Sequence, residues 1–111
     1  MFNKLMQLIL KKEGRKGVVN LVLTDDRKIR KLNLIYRHKD KATDVLAFPM
    51  GEEGIIGDIA ISKDTAKRNA VKFEISLKEE LKRLTVHGVL HLLGYEHGRK
   101  MRNAEKIYQE L

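Results

Sequence analysis

The chain has 111 residues, a length typical of one domain with one modest hydrophobic core. Hydrophobic residues make up 42% of it, which disfavours wholesale disorder, and no apolar run approaches the roughly 20 residues of a membrane span. The absence of cysteine excludes a disulfide framework and a thiolate metal site. Because the N-terminus also lacks the features of a signal peptide, we expect a cytoplasmic protein.

The positive charge lies mainly in the first half of the chain. The formal net charge is +8. Residues 1–50 hold twelve Lys and Arg against five Asp and Glu, a net of +7, whereas residues 51–111 hold eleven against ten, a net of +1. This asymmetry favours a polyanionic partner, most often nucleic acid. A solvated basic face without a partner explains the charge about equally well.

The spacing of apolar residues predicts helices and strands in an α+β order. In chain order the predicted elements are a helix at 1–10, a turn at 14–17, a strand at 18–24, a helix at 26–36, a loop at 37–42, a strand at 43–49 ended by Pro49, a turn at 51–54, a strand at 55–62, and helices at 63–71, 77–93 and 100–110. This order predicts one domain in which a small mixed β-sheet packs against several helices. The second and third strands, joined by a short glycine turn, should form an antiparallel hairpin.

Polar residues and glycines mark where these elements begin, end or bend. Side chains that can cap helices are Thr24 or Asp25, Ser62 and Ser76. Ser76 and Glu79 fit a capping box, and the helix that they open should stop at Gly94. The inner face of the second helix should carry Ile29, Leu32 and Tyr36. Within the third strand, Gly57 indicates a bulge or a close approach.

Three of the four histidines lie in the stretch HGVLHLLGYEHG, residues 87–98. His87 and His91 are four residues apart, so on a helix they point within roughly 40° of each other. Gly94 then turns the chain, and His97 can return to the same point. The segment is otherwise apolar and should be buried, where each unsatisfied imidazole would cost about 1–3 kcal/mol. This pattern predicts a metal site on a central helix and its following turn.

Three imidazoles leave one position open on a tetrahedral zinc ion, as in catalytic rather than structural sites. Zinc lowers the pKa of a water molecule in that position towards ~7. Zinc is therefore the expected cofactor, although imidazole also suits nickel, copper and iron. Gly88 occupies the position at which the protease motif H-E-x-x-H has its general base, which disfavours peptide hydrolysis. A glycine there also indicates that another backbone or a substrate approaches the helix.

HGVLHLLGYEH resembles the signature of the YbeY family, bacterial metal-dependent endoribonucleases of ribosomal RNA maturation. LNLIYRHKDKATDVLAFP (32–49) and GDIAIS (57–62) resemble two further signatures of that family, in the same order along the chain. The resemblance implies His87, His91 and His97 as zinc ligands and Arg37 as the functional arginine. It also implies a zinc-dependent, single-strand-specific endoribonuclease that matures the 3′ end of 16S ribosomal RNA and acts in ribosome quality control. RNA is the implied partner, together with ribosomal proteins.

The residues around these signatures support some roles and leave others open. Arg37 lies in the most basic part of the chain, residues 27–41, and a guanidinium can hold phosphate oxygens and stabilise a phosphoryl transition state. Asp44 and Asp58 can orient a histidine, pair with Arg37 or cap a turn. Glu96 stands where the family usually has Asp and is a weaker candidate for proton transfer. Members of the family usually begin with a strand, whereas this chain begins with a helix, so we expect the sheet to lack that edge strand.

Two other functions are compatible with the same residues. A non-catalytic ribosome-assembly factor would use zinc as a structural ion, and His38 would then close the coordination sphere as a fourth ligand. A hydrolase acting on another substrate, such as a peptide, is disfavoured by Gly88 and by the positive charge. The oligomeric state and the nucleophile, either metal-bound water or a ribose 2′-hydroxyl, are left open by the sequence.

Overall fold

Three strands form one mixed sheet, and the computed structural model describes it together with the rest of residues 1–111. The strands are β1 (Val18–Thr24), β2 (Val45–Pro49) and β3 (Ile55–Ser62). The helices are α1 (Asn3–Lys12), α2 (Asp26–Arg37), α3 (Lys63–Phe73), α4 (Leu77–Leu92) and α5 (Arg99–Gln109). The predicted α+β class with a small mixed sheet is thus confirmed. None of the helices combines the length and the apolar character that crossing a membrane requires.

β3 occupies the middle of the sheet, between β1 and β2. β1 runs parallel to β3, and β2 runs antiparallel to it, from Val45 opposite Ile61 to Pro49 opposite Gly57. This pairing confirms the predicted hairpin. β2 begins at Val45, two residues later than predicted, although the Asp44 carbonyl still accepts a hydrogen bond of 2.9 Å from a backbone N–H of β3.

α4 lies in the centre of the main hydrophobic core and packs against β2 and β3 of the sheet and against α1, α3 and α5. The apolar residues around its histidines are buried as predicted, apart from Leu93, which is half-buried: Val86, Val89, Leu90 and Leu92. Burying each such side chain contributes about 1.5–3 kcal/mol. The core therefore holds rigidly the helix that carries two of the three clustered histidines.

Two glycines allow the close packing that positions α4 on the sheet. A Cβ on Gly57 would lie 2.5 Å from the Phe48 carbonyl oxygen and 2.6 Å from a Leu92 side-chain carbon, and the register between β1 and β3 also shifts beside it. A Cβ on Gly88 would lie 2.9 Å from the Ile59 side chain. The nearest group to α4 at Gly88 is thus a side chain of β3 rather than another backbone, and Gly88 also lines the groove that holds the histidines.

The predicted caps are present. Asp25 Oδ1 accepts from the Lys28 N–H at 2.8 Å, Ser62 Oγ from the Thr65 N–H at 3.3 Å, and Ser76 Oγ from the Glu79 N–H at 3.0 Å. Each satisfies one of the donors that a helix N-terminus leaves unpaired. The second helix is therefore capped by Asp25 rather than by Thr24.

The inner face of α2 differs from the prediction at one position. Ile29 is buried and Leu32 is half-buried, but Tyr36 is 63% exposed, and Asn33 is buried in its place. Asn33 Nδ2 donates to the Lys41 carbonyl at 2.9 Å and so ties the end of the helix to the loop that follows. Periodicity predicts which face of a helix is apolar, but the last turn of α2 is covered only in part, by Phe48 of β2.

Candidate metal centre and nucleic-acid groove

Three histidines converge where α4 ends. His87 and His91 lie one turn apart on α4, and His97 follows the turn at Gly94, whose φ of 96° reverses the chain as glycine readily allows. The ring centroids are 4.5 Å apart for His87 and His91, 4.9 Å for His91 and His97, and 5.7 Å for His87 and His97. The three rings therefore meet at one point, as their spacing predicts.

The nitrogens of this cluster lie close enough together to hold one metal ion. One nitrogen from each ring lies within 4.8 Å of the other two, and His87 Nε2 is 3.1 Å from His91 Nε2. Two nitrogens bound to one tetrahedral zinc ion are about 3.3 Å apart, given Zn–N bonds of about 2.0–2.1 Å. The three histidines can thus bind a metal ion. The cluster contains no fourth ligand, and His38 is exposed at the end of α2 and does not belong to it.

A carboxylate supports the first histidine. His87 Nδ1 lies 3.3 Å from Glu105 Oε1 of α5, and both side chains are only 20% exposed. With the proton on Nδ1, the imidazole donates to Glu105 and leaves the lone pair of Nε2 directed at the other histidines. This carboxylate–histidine arrangement is the usual way in which proteins orient a metal ligand.

The environment of the cluster favours the neutral imidazole of His91. Burial lowers the pKa of His91, and the neighbouring His87 and His97 lower it further, followed by the positive charge of Arg37. Metals bind the neutral form of histidine, so the site is prepared for a cation at neutral pH.

The histidines line a large groove between α2, the sheet and α4. Its volume is about 1310 Å³, and Arg37, Asp44 and Asp58 line it together with the three histidines. Arg37 is the last residue of α2, and the loop after it is fastened by Asn33. The structure therefore places the predicted arginine and the predicted metal ligands around one space large enough for a nucleotide segment.

The basic segment 27–41 divides between two faces of α2. Lys28, Lys31 and Arg37 line the groove. Arg27 and Arg30 lie instead at a separate small depression, where Arg30 Nε donates to Asp40 Oδ1 at 2.7 Å in an exposed ion pair. Only part of the basic run therefore faces the histidines.

The predicted carboxylates have partners other than the histidines or Arg37. Asp58 Oδ1 accepts from Asn20 Nδ2 at 3.1 Å. Asp44 Oδ2 accepts from Asn69 Nδ2 at 3.3 Å and lies 3.9 Å from an Arg83 nitrogen. Both line the groove, whereas Glu96 is exposed and does not.

Behind Asp44 lies an ion pair between a buried carboxylate and a partly exposed arginine, which was not predicted from the sequence. Glu80 is fully buried in α4, and Arg83 donates to both of its carboxylate oxygens at 2.7 Å. Asn69 Nδ2 donates to Glu80 Oε2 at 2.9 Å and to Asp44, so it links the pair to the groove wall. The contact of Glu105 with His87 was likewise not predicted from the sequence. The i,i+3 spacing of Glu80 and Arg83 signals their pairing, but no local pattern connects Glu105 with His87.

The comparisons with known proteins agree on one family. A family model described as Endoribonuclease YbeY matches residues 1–110. A protein named Endoribonuclease YbeY from Aquifex aeolicus is 51% identical, over 97% of this chain and 75% of the relative. One of the same name from Koribacter versatilis is 46% identical, over 91% of this chain and 66% of the relative. The relatives are thus longer than this chain.

A solved structure has the same fold. The solution structure of the protein TM1509 from Thermotoga maritima superposes with a TM-score of 0.73 at 34% sequence identity. The match covers 98% of this chain and 77% of that protein. The arrangement of helices and sheet described above is therefore one that a natural relative adopts.

Proposed function

The chain belongs to the YbeY family, and on that premise we propose that it is a metal-dependent endoribonuclease, a hydrolase of RNA phosphodiester bonds. The observation that carries the proposal is the meeting of His87, His91 and His97 in a groove that Arg37 also lines. A metal site with an open position suits hydrolysis, and cationic side chains in the same groove suit a polyanionic substrate.

The proposed cofactor is one zinc ion, held by the three histidines, with other divalent transition metals able to occupy the same donors. When bound, such an ion supplies a Lewis acid that polarises a phosphoryl oxygen and acidifies water. Glu105 accepts the Nδ1 proton of His87 and so keeps Nε2 available as a ligand. Asp44 and Asp58 contribute polar groups to the groove wall, and Glu96 has no role in this proposal.

The proposed role of Arg37 is to bind the scissile phosphate and to stabilise the negative charge that develops on it. Its guanidinium presents two parallel N–H donors, which match two phosphate oxygens. Pre-oriented donors of this kind interact more strongly with the extra negative charge of the transition state than with the ground-state phosphate, so they lower the barrier. Arg37 lies at a helix end that Asn33 ties to the following loop, and it lines the same groove as the histidines.

We further propose that the substrate is single-stranded ribosomal RNA, including the 3′ end of 16S ribosomal RNA, and that the protein acts in ribosome maturation and quality control. Ribosomal proteins are the proposed partners, and such a substrate places the activity in the cytoplasm. The groove is the proposed RNA site, because Lys28 and Lys31 line it and the first half of the chain carries most of the net charge.

The proposal is tested by elemental analysis of the purified chain together with a cleavage assay on an unstructured RNA. We expect stoichiometric zinc, and cleavage that a chelator abolishes and added zinc restores. His91→Ala should lose both metal and cleavage, whereas His38→Ala, which changes the histidine outside the cluster, should keep both. If highly purified wild type cuts no RNA, or if His91→Ala cuts equally well, the nuclease proposal is wrong. A metal ion coordinated by four imidazoles and no water molecule would instead support the non-catalytic assembly factor.

A further inference from the structure

Two aromatic residues of the groove are exposed or half-exposed beside the histidines. Tyr36 is 63% exposed, and its ring meets that of Phe48 edge to face, with centroids 5.0 Å apart and planes at 61°. Phe48 in turn packs against the small buried cluster of Ile29, Leu46 and Ala60. The chain has only six Tyr and Phe residues, so a pair of them in one groove is a concentrated feature.

Within this pair, Phe48 is supported by the core and Tyr36 is open to solvent. Phe48 pairs with Asp58 across the hairpin, and its contacts with the core hold its ring in place. Tyr36 rests on that ring at the end of α2, directly before Arg37. A single exposed aromatic residue is common on protein surfaces. An exposed ring steadied by a second ring, however, is a preformed flat surface that loses little conformational freedom when it binds another flat group.

Cationic side chains share the groove with this aromatic pair. Lys28 and Tyr36 are two steps of four residues apart on α2, so they lie on one face of the helix, and Lys31 lines the groove as well. Single-stranded nucleic acids bind where aromatic rings stack on bases and basic residues follow the phosphates. An apolar peptide would match the rings but leave the lysines and Arg37 without partners.

We propose that Tyr36, steadied by Phe48, stacks on an unpaired base of the RNA, while Lys28 and Lys31 bind neighbouring phosphates. This inference rests on the proposed function and adds to it a base-binding subsite next to Arg37. A base held in a duplex already stacks on its neighbours, so the subsite selects single strands or splayed nucleotides. Stacking is tolerant of base identity, so the subsite recognises an unpaired base rather than a sequence.

The test measures binding, not cleavage. The full-length chain as purified is titrated into a short fluorescent single-stranded oligoribonucleotide with cleavage-resistant phosphorothioate linkages, and anisotropy is recorded. Tyr36→Ala should weaken binding about 5- to 100-fold, the range expected for one stacked base. Tyr36→Phe should bind like wild type because it keeps the ring. Ile35→Ala is the matched control, since Ile35 is 65% exposed on the same helix but does not line the groove.

A second comparison separates stacking from a general loss of affinity. A set of oligonucleotides is prepared in which a different single base is missing from each. For one of these positions, removing the base should weaken binding by wild type but should not weaken binding by Tyr36→Ala any further. The inference is overturned if Tyr36→Ala binds like wild type, if Ile35→Ala is equally weakened, or if no abasic position matters to wild type. A chain that shows this base dependence yet never cuts RNA would refute the nuclease proposal alone, because the binding measurement does not depend on cleavage.

Discussion

Glu105 Oε1 on α5 lies 3.3 Å from His87 Nδ1 on α4, although the two residues are 18 positions apart in the chain. The contact arises because α5 packs against α4 on the side where the histidines converge. It selects the ring orientation in which the other nitrogen of His87 lies 3.1 Å from His91 Nε2. We therefore expect the metal affinity of the cluster to depend on a residue outside the histidine motif.

Removing the charge of Glu105 should weaken metal binding without unfolding the protein. We expect Glu105→Gln to lower zinc affinity about 10- to 100-fold, the usual effect of losing a carboxylate that supports a ligand histidine. The affinity is measured by competition with a chromophoric chelator. Glu110→Gln, at an exposed position just after the same helix, should bind zinc like wild type. Equal affinities in the two variants would contradict the role of Glu105.

Arg37→Lys should retain zinc but lose most of the RNA cleavage. Lysine keeps the positive charge, but it lacks the planar pair of donors that matches two phosphate oxygens. We expect the cleavage rate to fall about 100-fold or more, comparable to the loss of one pre-oriented donor in other active sites. Single-turnover cleavage and elemental analysis check the two parts of this prediction.

The matched control for Arg37→Lys is Arg30→Lys on the same helix. Arg30 forms an exposed ion pair with Asp40 and does not line the groove. Its replacement should leave cleavage near the wild-type rate. A similar loss of cleavage in both variants would indicate that any Arg→Lys change on this helix impairs activity, and would contradict a specific role of Arg37.

The ion pair of Glu80 and Arg83 should be essential for stability. Arg83→Met leaves the fully buried Glu80 carboxylate without its bidentate partner, and we expect a loss of about 3 kcal/mol in the free energy of unfolding. The double variant Glu80→Gln with Arg83→Met should recover part of that loss, because the buried charge is then absent. Urea denaturation of the single and double variants measures the coupling. A double variant less stable than Arg83→Met alone would contradict this explanation.

Asp26 should make stability depend on pH in the acidic range. Hydrogen bonds from Ser62 and Thr65 and the ion pair with Arg68 lower the pKa of Asp26 from 3.8 to about 2. Between these two values the unfolded chain binds more protons than the folded chain, so stability falls as the pH drops from about 4 towards 2. Above that window the contribution of Asp26 is complete.

Asp26→Asn should therefore cost about 1–2 kcal/mol at pH 7, a figure reduced for the partial exposure of the carboxyl group. The difference from wild type should shrink steadily between pH 4 and pH 2, as wild-type Asp26 becomes protonated. Urea denaturation at several pH values in this range measures the effect. Asp40→Asn, in the exposed pair with Arg30, is the control and should change stability much less. If the stability difference between Asp26→Asn and wild type stayed constant down to pH 2, Asp26 would not be the source of the pH dependence.

Local interactions explain why much of this molecule was predictable from the order of its residues. A cap such as Ser76 acts on an N–H three residues away, and the spacing of His87 and His91 follows from the helical repeat itself. The hairpin of β2 and β3 follows from two short apolar runs around a glycine turn. Such features involve neighbours in the chain, so they appear in the sequence as patterns.

Contacts between distant segments were decided by packing instead. Glu105 meets His87, and Asn69 joins Asp44 to Glu80, because the helices settle on one core in one arrangement. Tyr36 has the periodicity of a core residue, yet it is exposed because only the Phe48 ring of β2 reaches the end of α2. Hydrophobic periodicity records which face of an element is apolar, whereas the neighbour that covers that face, or leaves it open to a ligand, depends on how all the elements pack together.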